Sequence, residues 1–392
     1  MTAASIAMLE RLVAFDTTSR NSNLELIHSV RDYLSGLGVA SQLSFDESGR
    51  KANLYATIGP DDRGGIALSG HSDVVPVDGQ DWSSDPWTVR AADDRLYGRG
   101  TCDMKGFIAV VLAQVPKLLN ADLQLPVHLC LSFDEEVDCG GVKRLLTFLE
   151  TQDVRPRACI IGEPTEMKVV TAHKGGVGYR CDVQGHECHS SLAPRGVNAV
   201  QAAARIIAEL DGMARRKVSE GPFDHDYDVP HTTLQVGVIQ GGTALNIVPA
   251  DCSFDFEIRN IPQDDPQTLF DEIRNYARTE IEPAMKAIDP DCGVNWQTFC
   301  DYPALSLAED SDLVTLVQSC AEANAIAKVA FCTEGGFFQN RGIPTIVCGP
   351  GSIAQAHKPD EFISRQQLAA CEAFMERLTE RLCDESIVGH KF

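Results

Sequence analysis

Pro126-Val-His-Leu-Cys-Leu-Ser-Phe133 runs straight into Asp134-Glu135-Glu136, and further along Ala158-Cys-Ile-Ile-Gly162 runs into Glu163. Each is a short apolar run of strand length that ends on acid, and residues 141–151 between them carry a helical pattern. Strands that alternate with helices pair in parallel and are covered on both faces. In such sheets the chemistry gathers outside the carboxyl ends of the strands. This stretch therefore predicts an α/β fold, a mostly parallel sheet flanked by helices, with acids collected at one edge.

On the amino-terminal side, helical periodicity covers residues 3–14 and 23–35, and strands are expected near 39–44, 53–58 and 65–70. A polar loop from Asp73 to Leu96 and a helix over 106–119 follow. From about residue 176 the grammar changes. A strand at 177–183, a helix at 196–212, strands at 232–240 and 250–258 joined through Gly241-Gly242, a helix at 266–286 and a strand at 293–299 give the order β-α-β-β-α-β of a ferredoxin-like unit. After Pro303 the first pattern resumes with a helix at 310–323, strands at Lys328–Phe331 and Ile343–Val347, and a closing helix at 364–383. The expected organisation is a catalytic domain of residues 1–174 and 303–392, interrupted by an inserted α+β domain of residues 175–302.

Composition narrows the function. The chain has 392 residues, 44% hydrophobic and 23% charged, which suits two soluble globular domains. A formal net charge of −22 lacks the basic face that a phosphate backbone needs, so nucleic acid is not expected as a partner. Fourteen cysteines form no Cys-x-x-Cys pair, and read as reduced thiols packed as small hydrophobes in the cytoplasm. The amino-terminal residues have no basic start and carry Glu10 and Asp16 early, so no signal peptide is expected. No apolar run is long enough to predict a membrane span.

The candidate chemistry lies in five scattered segments. In His71-Ser-Asp73, residues two apart on a strand share a side, so Asp73 can accept the second ring N–H of a metal-binding His71. Asp103, in Gly98-Arg-Gly-Thr-Cys-Asp-Met-Lys-Gly106, sits in a glycine-flanked turn leading into a helix. Glu135-Glu136 is a pair whose mutual repulsion cations would relieve. Glu163 and His357 complete the set. Alone, each has an ordinary structural explanation, such as a helix cap or a solvated turn. Together they have the donor types of a site for two zinc-like ions, which share a bridging ligand that an aspartate can supply. No His-Glu-x-x-His motif offers a rival, and Lys105 followed by Gly106 is not a phosphate loop.

Gly70-His-Ser-Asp-Val-Val-Pro76, Tyr97-Gly-Arg-Gly-Thr-Cys-Asp-Met-Lys-Gly106, Phe133-Asp-Glu-Glu136, Gly162-Glu-Pro-Thr165 and Gln355-Ala-His-Lys-Pro-Asp-Glu361 resemble, in order and over nearly the whole chain, the dinuclear zinc metallopeptidase and deacylase family. The resemblance implies that Asp103 bridges two Zn2+ ions, for which Co2+ can substitute, with His71 and Glu163 on one and Glu136 and His357 on the other. It makes Glu135 the general base, Asp73 the partner of His71, and His189, in Gly185-His-Glu-Cys-His189, a donor to the oxyanion of a neighbouring subunit's site. It further implies a homodimer through the inserted domain. Asn246 and Arg259 match segments that bind the substrate carboxylate, while Glu334 and Gly335, in Cys332-Thr-Glu-Gly-Gly336, match a loop lining the substrate pocket. The implied substrate is a small N-acyl amino acid. The likeness is strongest to the branch acting on N2-acetyl-L-ornithine, although Glu334-Gly-Gly336 departs from the Glu-Ala-Pro pattern of some members. Succinyl-diaminopimelate and neutral acyl amino acids remain alternatives. Two other classes also stay open: a serine hydrolase using Ser72, whose Gly70-His-Ser-Asp-Val74 lacks the second glycine of a nucleophile elbow, and a non-catalytic metal-binding or dimerisation protein.

Overall fold

A computed structural model describes residues 2–392. The chain divides into two compact units, one running up to Ala172 with Leu305–Lys328 and Thr333–Phe392, the other made of His173–Ala304 and Val329–Cys332. The short return at Val329–Cys332 is absent from the sequence reading.

The first unit is built on a nine-stranded mixed sheet. Its core is parallel: Val127–Ser132, Ile66–His71, Ala158–Pro164 and Thr345–Gly349 lie side by side in that order. These strands are buried along their entire lengths, as expected where helices cover both faces. One edge turns antiparallel through Ala52–Ile58 and Ser41–Phe45, and Val169–His173 runs antiparallel beyond Thr345–Gly349. The helix Lys105–Asn120 is apolar almost all round and buried along most of its length, the mark of a helix sandwiched inside a domain. Its close fit needs Gly162, where any side chain would run into the ring of Phe107.

Two features escaped the sequence reading here. Val169–His173 was not foreseen, because five buried residues carry no alternation. The expected loop from Asp73 to Leu96 contains part of a small antiparallel sheet, in which Arg90–Ala92 and Arg95–Tyr97 pair with each other and the latter with Phe362–Ser364. Three-residue strands are too short for a periodic signal.

The second unit is a four-stranded antiparallel sheet in the order Thr233–Gly241, Asp251–Arg259, Gly176–Gln184, Gly293–Tyr302. Alternate residues Tyr179, Cys181, Phe254 and Phe256 join a core with the helices Ala199–Glu220 and Pro266–Tyr276. Tyr179 stacks on Phe270 with ring centroids 4.1 Å apart. The opposite face carries Arg180, which reaches Asp182 at 3.0 Å and Ser253 at 2.9 Å. Thr233–Gly241 and Asp251–Arg259 are joined not by a tight Gly-Gly turn but by residues 242–250. Thr233–Gly241 is an edge strand that leaves Val238 and Ile239 48% and 53% exposed.

Candidate active site

Because Val127–Ser132, Ile66–His71 and Ala158–Pro164 are parallel neighbours, their carboxyl ends lie side by side. That brings together Glu135 and Glu136, His71, and Glu163. Two further groups come from turns: Asp103, just before the helix Lys105–Asn120 and across a cis bond to Met104, and His357, in left-handed backbone at φ 61°. All belong to the first unit.

Asp103 lies between the two histidines. One carboxylate oxygen is 3.0 Å from His71 Nε2, the other 3.4 Å from His357 Nε2. Glu163 reaches His71 Nε2 at 3.6 Å, and Glu136 reaches His357 Nε2 at 3.0 Å. His71 Nδ1 faces the backbone carbonyl of Asp73 at 2.9 Å. A carbonyl only accepts, so Nδ1 carries a proton, and Nε2, facing the carboxylates of Asp103 and Glu163, either donates to them from a charged ring or turns its lone pair to a cation held between them. A lone pair aimed at carboxylate oxygens is repulsive unless a cation lies between them or the ring is charged. Groups of three donor atoms that fit around an ion occur at His71, Glu135 and Glu163, and at His71, Asp103 and Glu136.

The electrostatics point the same way. Burial pushes Glu135 and Glu163 well above the ordinary carboxyl range, and repulsion from neighbouring carboxylates adds to it. Glu136 is raised to about 7 by burial and Asp103, against the pull of His357. Burial would raise Asp103 too, but hydrogen bonds from both histidines hold it below its usual value. His357 is pushed up to about 10 by Asp103 and Glu136. Four acids crowded around two imidazoles form a donor set that two divalent ions would satisfy, and the residues fit such a group.

Supporting residues hold this array, and sequence reasoning missed most of them. The Asp73 carboxylate is not the nearest partner of His71, since Oδ1 stands 3.6 Å from Nδ1. Instead it accepts the backbone N–H groups of Glu135 and Glu136 at 3.2 and 3.3 Å and the Ser19 hydroxyl at 2.7 Å. Lys51 pairs with Asp134 at 2.5 Å and also donates to the Ser19 carbonyl, bracing the turn whose first residue, Asp134, has φ 57°. Glu361 accepts from the turn that carries Asp103.

Glu334, Gly335 and Ser72 are all buried. Glu334 is 1% exposed, with the hydroxyls of Ser132 and Ser69 beside its carboxyl group. Burial raises it to about 7, and the charges of His71 and Asp73 act on it. Gly335 is likewise buried, at the start of the helix Gly335–Asn340. Ser72 is fully buried, donates to the Ser132 carbonyl at 2.6 Å and accepts from Asn23, which leaves no exposed nucleophile for a serine hydrolase.

The remaining candidates lie in the second unit. His189 bridges to Ile247, and Ser190 N–H donates to the Asn246 carbonyl at 3.0 Å, so His189 and Asn246 are neighbours. Arg259, at the end of Asp251–Arg259, is held by Glu257 at 2.9 Å and contacts the Cys332 thiol at 3.2 Å.

The model of peptidase family M20/M25/M40 matches residues 67–381. Proteins named acetylornithine deacetylase are similar over almost full length: that of Myxococcus xanthus is 36% identical over 390 residues, 96% of this chain and 97% of its own. The Pasteurella multocida protein is 32% identical over 389 residues, 96% and 98% of the two chains. Among solved structures, an M20 family metallo-carboxypeptidase from Sulfolobus solfataricus superposes with a TM-score of 0.75 at 18% identity, over 98% of this chain and all of that one. A dinuclear metal-binding M20 peptidase from Bacillus subtilis gives 0.65 at 14% identity, over 96% and 98%.

Proposed function

This chain belongs to peptidase family M20/M25/M40, and from that premise we propose that it hydrolyses N2-acetyl-L-ornithine to L-ornithine and acetate, a step of arginine biosynthesis. The observation that carries this reading is the placement of Asp103 between His71 and His357, in a chain similar end to end to acetylornithine deacetylases.

His71, Asp103 and Glu163 would hold one ion and Asp103, Glu136 and His357 the other. Two zinc ions, or cobalt in their place, would supply a polarised acyl carbonyl and water whose pKa falls from about 15.7 to about 7. Glu135 takes the proton of the attacking water and returns it to the amide nitrogen as the carbon–nitrogen bond breaks. No hydrogen bond from the described residues ties up the Glu135 carboxylate, while its backbone is anchored to Asp73. That leaves it free to act as base, although it also stands within ligand reach of His71 and Glu163.

His189 is assigned to the oxyanion of a partner copy's site, and Asn246 and Arg259 to the α-carboxylate, where the planar guanidinium fork suits two oxygens. A homodimer through the second unit is supported by the apolar edge strand Thr233–Gly241, because unpaired edges with exposed side chains such as Val238 and Ile239 are natural pairing templates. Among the described residues, no helix is long and apolar enough to cross a membrane. The free cysteines suit a reducing cytoplasm.

The test is a substrate panel on zinc-loaded protein, with and without chelator, alongside metal analysis. Acetylornithine should give the highest kcat/KM, chelation should abolish it, and metal content should approach two ions per chain. A preference for succinyl-diaminopimelate or a neutral acyl amino acid would reassign the substrate. Activity that survives chelation would overturn the mechanism.

A further inference from the structure

We propose that Glu361 is a positioning residue that locks the bridging Asp103 and the solvent-side His357 into one hydrogen-bonded unit, so that the second ion binds only where the first has a correctly set bridge. This rests on the two-ion reading above.

Glu361 is 1% exposed, and every acceptor it has is aimed at the turn before the helix Lys105–Asn120. One carboxylate oxygen takes the backbone N–H groups of Cys102 at 2.8 Å and Asp103 at 3.0 Å. The other takes the Gly100 N–H at 2.9 Å and Arg99 Nη1 at 2.8 Å, and the Glu361 carbonyl accepts from Gly98 N–H at 2.9 Å. Such a carboxylate replaces the missing partners of an entire irregular turn. An amide in its place would turn an N–H2 toward N–H donors.

The same unit reaches His357 by a second route. Arg99 Nη2 donates to Gln80 at 2.6 Å, Gln80 Nε2 donates to the His357 carbonyl at 3.1 Å, and Arg99 Nη1 also approaches the Lys358 carbonyl at 3.3 Å. His357 needs this support: a non-glycine residue at φ 61° is disfavoured on its own. The chain from 357 to 361 and the path through Arg99 and Gln80 thus close a ring with Asp103 on one side and His357 on the other.

The experiment is zinc titration by calorimetry of full-length apoprotein, wild type against Glu361→Gln, Glu361→Asp and Gln80→Ala, with melting temperatures. Outer partners of ligands typically contribute about 10- to 100-fold in affinity. Glu361→Gln should therefore keep the first ion and weaken the second by about tenfold or more, lowering kcat with KM little changed and recovering in part at high zinc. Glu361→Asp should recover part of the loss. Gln80→Ala, which cuts the link from Arg99 to His357 and an acceptor for Trp82 Nε1 but leaves every Glu361 contact with the turn in place, should weaken the second ion alone without lowering the melting temperature, and it decides the matter if Glu361→Gln does not fold. Two ions at wild-type affinity in every folded variant would overturn the positioning role. A wild-type protein that binds fewer than two ions would instead overturn the reading beneath it.

Discussion

The two ends of the Asp103 carboxylate meet different surroundings. On one side the His71 and Glu163 side chains are 1% and 6% exposed and stand on strands in the middle of the sheet. On the other, His357 is 53% exposed and comes from a turn. The buried end is set by strand register, which moves as a block. The open end is set by hydrogen bonds around a turn, and it is the side from which water and substrate can reach the site. One histidine and one glutamate on each side therefore do not mean equal stability.

Asp103→Asn should break the comparison outright. Loss of the shared ligand should remove both ions and lower turnover by a factor on the order of 10^4 or more, read by metal analysis and kcat. If one ion stays at full affinity, Asp103 is not the bridge. Glu135→Gln should cost about 10^2- to 10^4-fold in kcat while metal content stays at wild type; loss of an ion would make Glu135 a ligand, as its closeness to His71 and Glu163 allows.

His71→Ala against His357→Ala sharpens the contrast. Removing His71 leaves the buried Asp103 and Glu163 without their partner, so both affinity and thermal stability should fall. Removing His357 should cost chiefly the second ion and leave the melting temperature near wild type. Equal losses would mean that burial does not distinguish the two ends. His189→Ala, in the second unit, should lower kcat by about 10^2- to 10^3-fold, the usual worth of an oxyanion donor, with KM and metal content unchanged. A kcat within a factor of about two would remove it from the mechanism.

The smallest effect concerns Glu334, buried within electrostatic reach of His71 and Asp73. Its folded pKa, about 7, lies above the ordinary 4.5, so the folded protein holds the proton more tightly. Stability from this group is full below about pH 4.5 and is lost as pH rises toward 7. In metal-free protein, Glu334→Gln should flatten that decline and gain up to about 3 kcal/mol at and above pH 7, measured by denaturant melts across pH. An unchanged pH dependence would mean that Glu334 is ionised or solvated in the folded state.

The acids at strand ends were legible because each follows an apolar run with a local pattern, and parallel pairing then brings those ends together. Glu361, Ser19 and Lys51 were not. Glu361 acts on residues 258–262 positions away, Ser19 on one 54 away and Lys51 on one 83 away, and no periodicity records such a bond. The burial of Glu334 was not legible either, because the Gly335-Gly336 that follows it reads as a turn, whereas in the fold it begins a buried helix. Asp73 was paired with His71 by strand parity. The backbone carbonyl met the ring first, and the carboxylate was free to brace the Glu135-Glu136 turn.

The sequence alone determined the alternation of strands and helices, the change of grammar near residue 176, and the identities of the acids and histidines, all of which are local signals carried by hydrophobic period and residue type. Only the tertiary structure decided which oxygen of Asp103 faces which histidine, that one end of that carboxylate is sealed and the other open, and that a carboxylate near the carboxyl end of the chain holds the central turn in place. Those are matters of register and burial, which arise when distant segments pack and have no counterpart along the chain.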